Sequence, residues 1–134
     1  NYFKGLEGTV LIISDTSGDY SKKFGKSLPD NIIIIEKDID FCYLIQKSNC
    51  FIRYTSTDGD SISVMESIFF QTAVIATNCI RRHEACFLCE YGDMESLNLA
   101  VKKFNESRDV DFSNIISVHK SYDCLYSEIQ KDYA

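Results

Sequence analysis

Residues 50–66 of the chain, CFIRYTSTDGDSISVME, join a short apolar run with strand character to a segment with helical periodicity. Beyond the turn, the apolar side chains at 62, 65, 68 and 69 fall at the spacing of one helix face. Gly59 permits a tight turn between the two segments. The stretch therefore predicts a strand that ends near residue 54 and a helix that begins near Ser61.

The same alternation of strand and helix continues on both sides of this stretch. Unbroken apolar runs, such as Asn31-Ile32-Ile33-Ile34-Ile35, are typical of parallel sheets that are covered on both faces. We therefore predict an α/β fold with a Rossmann-like, doubly wound, mostly parallel sheet and helices on both faces. The predicted strands are 9–13, 31–35, 50–54, 73–77 and 85–89. The predicted helices carry Tyr20, Phe24 and Leu28; residues 39–47; residues 61–70; Met94, Leu97, Val101 and Phe104 behind Asp93; and Tyr122, Leu125, Ile129 and Tyr133.

Length and composition fit one globular domain, residues 1–134. Hydrophobic residues make up 45% of the chain, which is enough to bury a core. The net charge of -6 argues against general binding to nucleic acids or anionic membranes, because such binding requires clustered Lys and Arg. No apolar run reaches the length of a transmembrane helix, and no signal peptide is visible. We expect a cytoplasmic protein, and the start at Asn1 is consistent with a piece of a longer chain.

The turn at 58–61 has the chemistry of an anion-binding site. Backbone N–H groups in the first turn of a helix, together with the helix dipole, favour an anion such as a pyrophosphate. Ser61 can cap the helix or donate to the anion, and Glu66, about one turn further on, can accept from the two hydroxyls of a ribose. Ordinary turn and capping chemistry also explains these residues, with Glu66 as a solvated helix residue.

From Phe51 to about Asp93, the chain resembles the donor-binding, C-terminal half of group 1, family-4-like GT-B glycosyltransferases. Their hallmark is a pair of acids separated by seven residues, the first followed by Gly, and Asp58 and Glu66 have this spacing. The further similarities are Arg53, Thr55, Asp60, Ser61, Ser63, residues 73–78, Arg82, Glu84 and Gly92-Asp93. The departures are Tyr54 and Ala73, where the family has Pro, Ser67, where it has Ala, and Gln71, where it has Gly.

The resemblance implies a hexosyltransferase-type enzyme of polysaccharide or glycoconjugate biosynthesis. Such an enzyme transfers the sugar of a nucleotide-diphosphate sugar with retention of anomeric configuration, without a metal or a cofactor. In that reading Asp58 and Glu66 are the catalytic pair, which positions the sugar and the ribose. The implied donor-binding residues are Gly59, Asp60 and Ser61, with Lys37 beside Glu36 near the nucleobase and Arg82, or its neighbour Arg81, near the phosphates or the sugar.

Enzymes of this family also have an N-terminal domain that holds the acceptor. The resemblance implies that this domain is missing from residues 1–134, so that the chain alone binds the nucleotide-sugar and does not turn it over. Any peripheral association with a membrane would arise through the missing domain.

Other classes of protein remain open. Residues 14–21, SDTSGDYS, follow the first strand and loosely resemble a flavin-phosphate loop, which makes a flavodoxin-like, FMN-binding electron carrier the alternative. A phospho-accepting receiver domain has a similar topology, but only Asp15 of its expected acidic pair is present. A non-catalytic relic of the glycosyltransferase fold is the third alternative.

The six cysteines, at 42, 50, 79, 86, 89 and 124, are predicted to be free thiols that pack as small hydrophobes in a reducing compartment. The cluster Cys79, His83, Cys86 and Cys89 is a poor zinc site, because strand positions three apart point to opposite faces. His83 and His119 have no evident catalytic partner and are predicted to lie at the surface. Arg53 is interpreted either as a ligand-facing cation or as a residue that props the motif loop.

Overall fold

The computed structural model describes residues 8–24 and 27–107. They group into two compact units, with the boundary between Asp40 and Phe41. The predicted helix that carries Tyr122 and Tyr133, together with Cys124 and His119, lies outside the described residues. No helix within the described ranges is long and apolar enough to cross a membrane.

The first unit contains strand β1 (Leu11–Ser14), helix α1 (Asp19–Phe24) and strand β2 (Ile32–Ile35). The two strands pair in parallel, with Leu11 opposite Ile32 and Ser14 opposite Ile35. Leu28 lies in the segment before Pro29 and is not helical, although we predicted it on the helix. Ile12 and Ile33, which are also paired, are exposed, so this two-stranded sheet is less covered than its apolar run predicts.

The second unit contains six elements: α2 (Phe41–Lys47), β3 (Cys50–Arg53), α3 (Ile62–Phe69), β4 (Ala73–Thr77), β5 (Cys86–Cys89) and α4 (Met94–Glu106). Its three strands form a parallel sheet in the order β3-β4-β5. Strand β4 lies at the centre and is buried along its whole length. The α/β fold with parallel sheets is therefore confirmed, and the predicted strand 73–77 agrees with the observed bounds.

Helices cover both faces of this three-stranded sheet. Val74 and Ala76 point to one face and pack with Val64 and Ile68 of α3. The neighbouring Ile75 pairs with Phe87, whose ring contacts Phe104 of α4 edge-on at a centroid distance of 6.0 Å. Because successive strand residues point to opposite faces, α3 and α4 lie on opposite sides of the sheet.

Helix α3 ends in a left-handed residue that is not glycine. Gln71 has a φ of 58°, and it is the position at which the resembled family has Gly. Its N–H donates to the Ile68 carbonyl, and the N–H of Thr72 donates to the Ser67 carbonyl, which is the hydrogen-bond pattern of a Schellman motif. The Thr72 hydroxyl then donates to the Ile45 carbonyl and ties this end to α2. The hydrogen bonds thus hold Gln71 in a conformation that its side chain disfavours.

Candidate functional site

The candidate site lies at the carboxyl edge of the three-stranded sheet, where ligands bind in open α/β structures. Two loops leave the sheet at this edge: residues 54–61 connect β3 to α3, and residues 78–85 connect β4 to β5. Because the strands are adjacent and parallel, these loops begin side by side. Most of the residues that the sequence analysis selected lie in this part of the second unit.

The centre of the site is an ion cluster of Arg53, Asp58 and Arg82, which we name the clamp. Arg53 donates to both carboxylate oxygens of Asp58, from Nε at 3.1 Å and from Nη2 at 3.0 Å. Arg82 Nη2 donates to Asp58 Oδ2 at 2.7 Å. The side chains of Asp58 and Arg82 are only 6% and 2% exposed, whereas that of Arg53 is 37% exposed. The clamp therefore ties the loop after β3 to the loop after β4.

The clamp fixes the charge state of Asp58. Hydrogen bonds from Arg53 and then Arg82 hold the pKa of the Asp58 carboxyl far below its usual range, against the opposing effect of burial. Asp58 is therefore ionised near neutral pH and has no proton to donate as an acid. Two guanidinium groups and one carboxylate leave one net positive charge in the clamp, and Arg53 is its exposed member.

Arg82 also anchors the end of β4. Its Nε donates to the Thr77 carbonyl at 3.1 Å, and the Thr77 hydroxyl donates to the Thr55 carbonyl at 2.7 Å. We expected Arg82 to face the phosphates or the sugar of a donor. In the structure its guanidinium is buried against protein oxygens, so the clamp arginine that solvent reaches is Arg53. Arg53 thus has the loop-propping contacts that were one of its two interpretations.

The turn before α3 differs in detail from the prediction. Gly59 does not have a positive φ, and a Cβ at this position would meet no atom within 4 Å. The turn therefore does not require glycine, although the missing side chain leaves the backbone open to a ligand. Ser61 occupies the N-cap position, yet its side chain makes no capping hydrogen bond, and its carbonyl accepts from the N–H groups of Val64 and Met65. Gly59 and Asp60 are exposed.

Glu66 lies within α3 and is partly buried. Its Oε1 is 3.7 Å from Cys42 Sγ on α2, which acts as a weak donor. The side chain is therefore not a freely solvated helix residue.

Lys37 lies in the loop after β2, in the first unit, and is exposed next to Glu36. The same unit has an open cavity of about 590 Å³, which is lined by the loop after β1, Ser21 and Lys22 of α1, and Glu36. Lys37 itself does not line this cavity, and the structure describes it only within its own unit.

The loop after β1 is closed by its own carboxylate. Asp15 is buried and accepts from the Ser17 hydroxyl at 2.7 Å and from the Tyr20 N–H at 2.8 Å. The Ser17 hydrogen bond is the main reason that the pKa of Asp15 is lowered. A carboxylate at this place repels a phosphate and already uses the Tyr20 N–H, so the loop does not favour FMN phosphate.

Four of the five described cysteines fall into two groups by the direction in which their pKa is shifted. Burial raises the pKa of Cys50 to about 12 and that of Cys86 to about 11, and it also raises the pKa of the buried Cys89. Cys79 is exposed and has a lowered pKa, chiefly because of the Thr77 hydroxyl, with help from Thr55 and the Arg82 charge. The prediction of uniformly buried thiols is therefore wrong at Cys79, which follows the strand rather than lying in it.

Residues 8–24 and 27–107 contain no cluster of three or more potential metal ligands. The structure therefore does not bring Cys79, His83, Cys86 and Cys89 together as a metal site. His83 is partly buried, and its Nδ1 accepts from the Ala85 N–H at 3.1 Å. It therefore supports the turn before β5 rather than standing free at the surface.

One feature of this edge was not predicted. The rings of Tyr54, after β3, and Tyr91, after β5, lie 5.2 Å apart with an interplanar angle of 35°. The only signal in the sequence was that Tyr54 replaces a proline of the resembled family. A contact between residues so far apart in the chain cannot be read from local periodicity.

Comparison with protein families, with characterised proteins and with solved structures finds no match for this chain.

Proposed function

We propose that the second unit is the nucleotide-sugar-binding domain of a retaining, metal-independent GT-B glycosyltransferase. The observation that carries the proposal is the clamp. It fixes the loop after β3 at the carboxyl edge of a parallel sheet, while Gly59 and Asp60 stay exposed before α3. Helix N-terminal amides beside an exposed cation are suited to the diphosphate of such a donor.

In this proposal Asp58 has an electrostatic and positional role. An acid that stays ionised in the folded protein cannot protonate a leaving group, so Asp58 is not a general acid in this proposal. The clamp's net positive charge and the first amides of α3 stabilise the departing diphosphate. Arg82 supports this arrangement by donating a hydrogen bond to the Asp58 carboxylate.

Glu66 is the proposed acceptor for the ribose hydroxyls, and Ser61 a donor to phosphate. The Ser61 hydroxyl makes no helix cap, which leaves it for such a contact. Lys37 lies in the first unit and is not part of this proposal. We further propose that a separate N-terminal domain supplies the acceptor site, so that the present chain binds the donor without transferring its sugar.

The test is calorimetric titration of the chain with UDP, GDP and ADP and with their sugars, in buffer containing EDTA. We expect one of the nucleotides to bind, and Glu66→Gln to weaken that binding by about 1 to 3 kcal/mol, because a charged acceptor is lost. The matched control is Glu106→Gln, an exposed helix acid paired with Lys102, which should bind as the unchanged chain does.

Three results would contradict the proposal. If no nucleoside diphosphate binds at millimolar concentration, the nucleotide-sugar assignment fails. If binding requires Mg²⁺, the metal-independent class fails. If Glu66→Gln binds as tightly as Glu106→Gln, Glu66 is not in the site.

A further inference from the structure

The carboxyl edge of the second unit presents an aromatic surface that the clamp does not use. Tyr91 is 56% exposed, and Met94, at the start of α4, is also exposed. Tyr54 is partly buried, and its ring packs against that of Tyr91. We name the pair Tyr54 and Tyr91 the tyrosine platform.

The platform is held in a fixed geometry. Gly92 has a φ of 84°, and its N–H donates to the Tyr54 hydroxyl at 2.8 Å, so the turn after β5 is bonded to the residue after β3. Asp93 accepts from the N–H groups of Glu95 and Ser96 and fixes the following helix. An aromatic surface that is already ordered binds a ligand at low cost in side-chain entropy.

The platform is also joined to the candidate site. Thr55 follows Tyr54 directly, and its carbonyl accepts from the hydroxyl of Thr77. The Thr77 carbonyl in turn accepts from Arg82 of the clamp. A ligand on the platform would therefore lie at the same edge of the sheet as the proposed donor.

The charged residues nearest to Tyr91 along the chain are all acids. Between residues 86 and 101 the chain has three acids, Glu90, Asp93 and Glu95, and no Lys, Arg or His. All three acids are exposed, so they disfavour phosphate and other anions. Carboxylates accept hydrogen bonds from hydroxyl groups, and the phenol of Tyr54 keeps a proton to donate. An apolar ring face rimmed by hydrogen-bond acceptors suits a pyranose, which has C–H groups on its faces and hydroxyls at its edge.

We propose that the tyrosine platform binds a neutral glycan by stacking of a sugar ring on Tyr91. That this glycan is the acceptor for transfer rests on the proposed function above, whereas the binding itself does not. In that case the second unit contributes to recognition of the acceptor as well as the donor.

The test is binding of neutral tetrasaccharides of glucose, mannose, galactose and N-acetylglucosamine, measured by saturation-transfer NMR and calorimetry. We expect one of them to bind and Tyr91→Ala to weaken the binding by about tenfold or more, as for an aromatic residue at the centre of a contact. The control is Tyr43→Ala, which removes a comparably exposed tyrosine from α2 and should change nothing. Tyr91→Leu keeps an apolar side chain should the alanine variant fold poorly, and it should also bind weakly.

The outcomes separate this proposal from the proposed function. Glycan binding without nucleotide binding would support the platform and remove the glycosyltransferase assignment. Nucleotide binding without binding of any of the four glycans would overturn the platform alone. Equal affinity in Tyr91→Ala and Tyr43→Ala would overturn it as well, and so would Tyr91-dependent binding of a lysine-rich peptide in place of the glycans.

Discussion

Two loops of this protein join a parallel strand to a helix with the same kinds of residue, and they fold in different ways. The loop after β1 reads Asp15-Thr16-Ser17-Gly18, and the loop after β3 contains Asp58-Gly59-Asp60-Ser61. In the first loop the Asp15 carboxylate accepts from the Tyr20 N–H in the first turn of the following helix. In the second loop the Asp58 carboxylate turns to two arginines, and α3 begins without a side-chain cap.

The comparison shows that loop composition alone does not decide where a carboxylate goes. Asp15 has a hydroxyl and backbone amides within reach, so its carboxylate accepts hydrogen bonds from its own loop and from the first turn of α1. Asp58 has Arg53 at the end of its own strand and Arg82 from the neighbouring loop, and charged donors bind a carboxylate more strongly than neutral ones. The first loop therefore uses its carboxylate on its own helix, while the second leaves the start of α3 without a side-chain cap.

The largest expected effect comes from breaking the clamp. Arg82→Met keeps an apolar stem and removes one charged donor from Asp58, which still pairs with Arg53, and this should lower the free energy of unfolding by about 1.5 to 3 kcal/mol. In the first loop, Ser17→Ala removes one neutral donor of Asp15 and should cost less than Arg82→Met, because a charged donor binds a carboxylate more strongly than a neutral one. Urea unfolding of both variants measures the difference.

The control for this prediction is Arg81→Met, since Arg81 is the exposed neighbour of Arg82 and should change stability by less than about 0.5 kcal/mol. If Arg82→Met costs no more than Ser17→Ala, the two carboxylates are held equally well and the comparison fails.

The next largest difference between the two loops is expected in the pH dependence of the unfolding free energy. The pKa of Asp58 is lowered by two arginines, so its ion pairs contribute stability above the unfolded pKa of about 3.9 and lose it as the pH falls towards the folded value. The unfolding free energy of the unchanged chain should therefore fall between about pH 5 and pH 2 more steeply than that of Asp58→Asn. The unfolding free energy of Asp15→Asn should differ less from that of the unchanged chain in its pH dependence, because Asp15 accepts only from neutral donors. Parallel profiles for Asp58→Asn and the unchanged chain would contradict this assignment.

Local sequence patterns predicted much of this fold. The run Ala73-Val74-Ile75-Ala76-Thr77 predicted a buried strand with the observed bounds, because apolar and β-branched residues suit a central parallel strand. The apolar stripe behind Asp93 predicted α4, and Asp93 does cap that helix. Both features depend on neighbours in the sequence, and local patterns describe such neighbours well.

The site was less predictable, because its contacts join distant residues. Arg82 and Asp58 are 24 positions apart, and no periodicity states that Arg82 will be buried against Asp58 rather than exposed to a ligand. Cys79 was misjudged for the same reason, since Thr77 and Arg82 determine its environment. At Gln71, hydrogen bonds at the end of α3 hold a left-handed residue that sequence preference alone would assign to glycine.

Glycine substitutions should give a smaller difference in stability between the two loops. Gly18 has a φ of 70°, so Gly18→Ala places a Cβ in a disfavoured conformation and should cost about 1 to 2 kcal/mol. Gly59→Ala has open space and an ordinary φ, and it should change stability by less than about 0.5 kcal/mol. Chemical unfolding of the pair measures both values, and a larger cost at Gly59 than at Gly18 would show that the second turn does need glycine.

The smallest expected effect tests whether the start of α3 is free for a ligand. Ser61 makes no capping hydrogen bond, so Ser61→Ala should cost only a few tenths of a kcal/mol, less than the usual loss of about 0.5 to 2 for a cap. Asp93→Ala is the matched control, because Asp93 caps α4 with bonds to two amides and should show the full loss. In the proposed function Ser61→Ala nonetheless weakens nucleotide binding, since its hydroxyl donates to phosphate. If Ser61→Ala destabilises the chain as much as Asp93→Ala does, the hydroxyl caps the helix in solution and is not available to the donor.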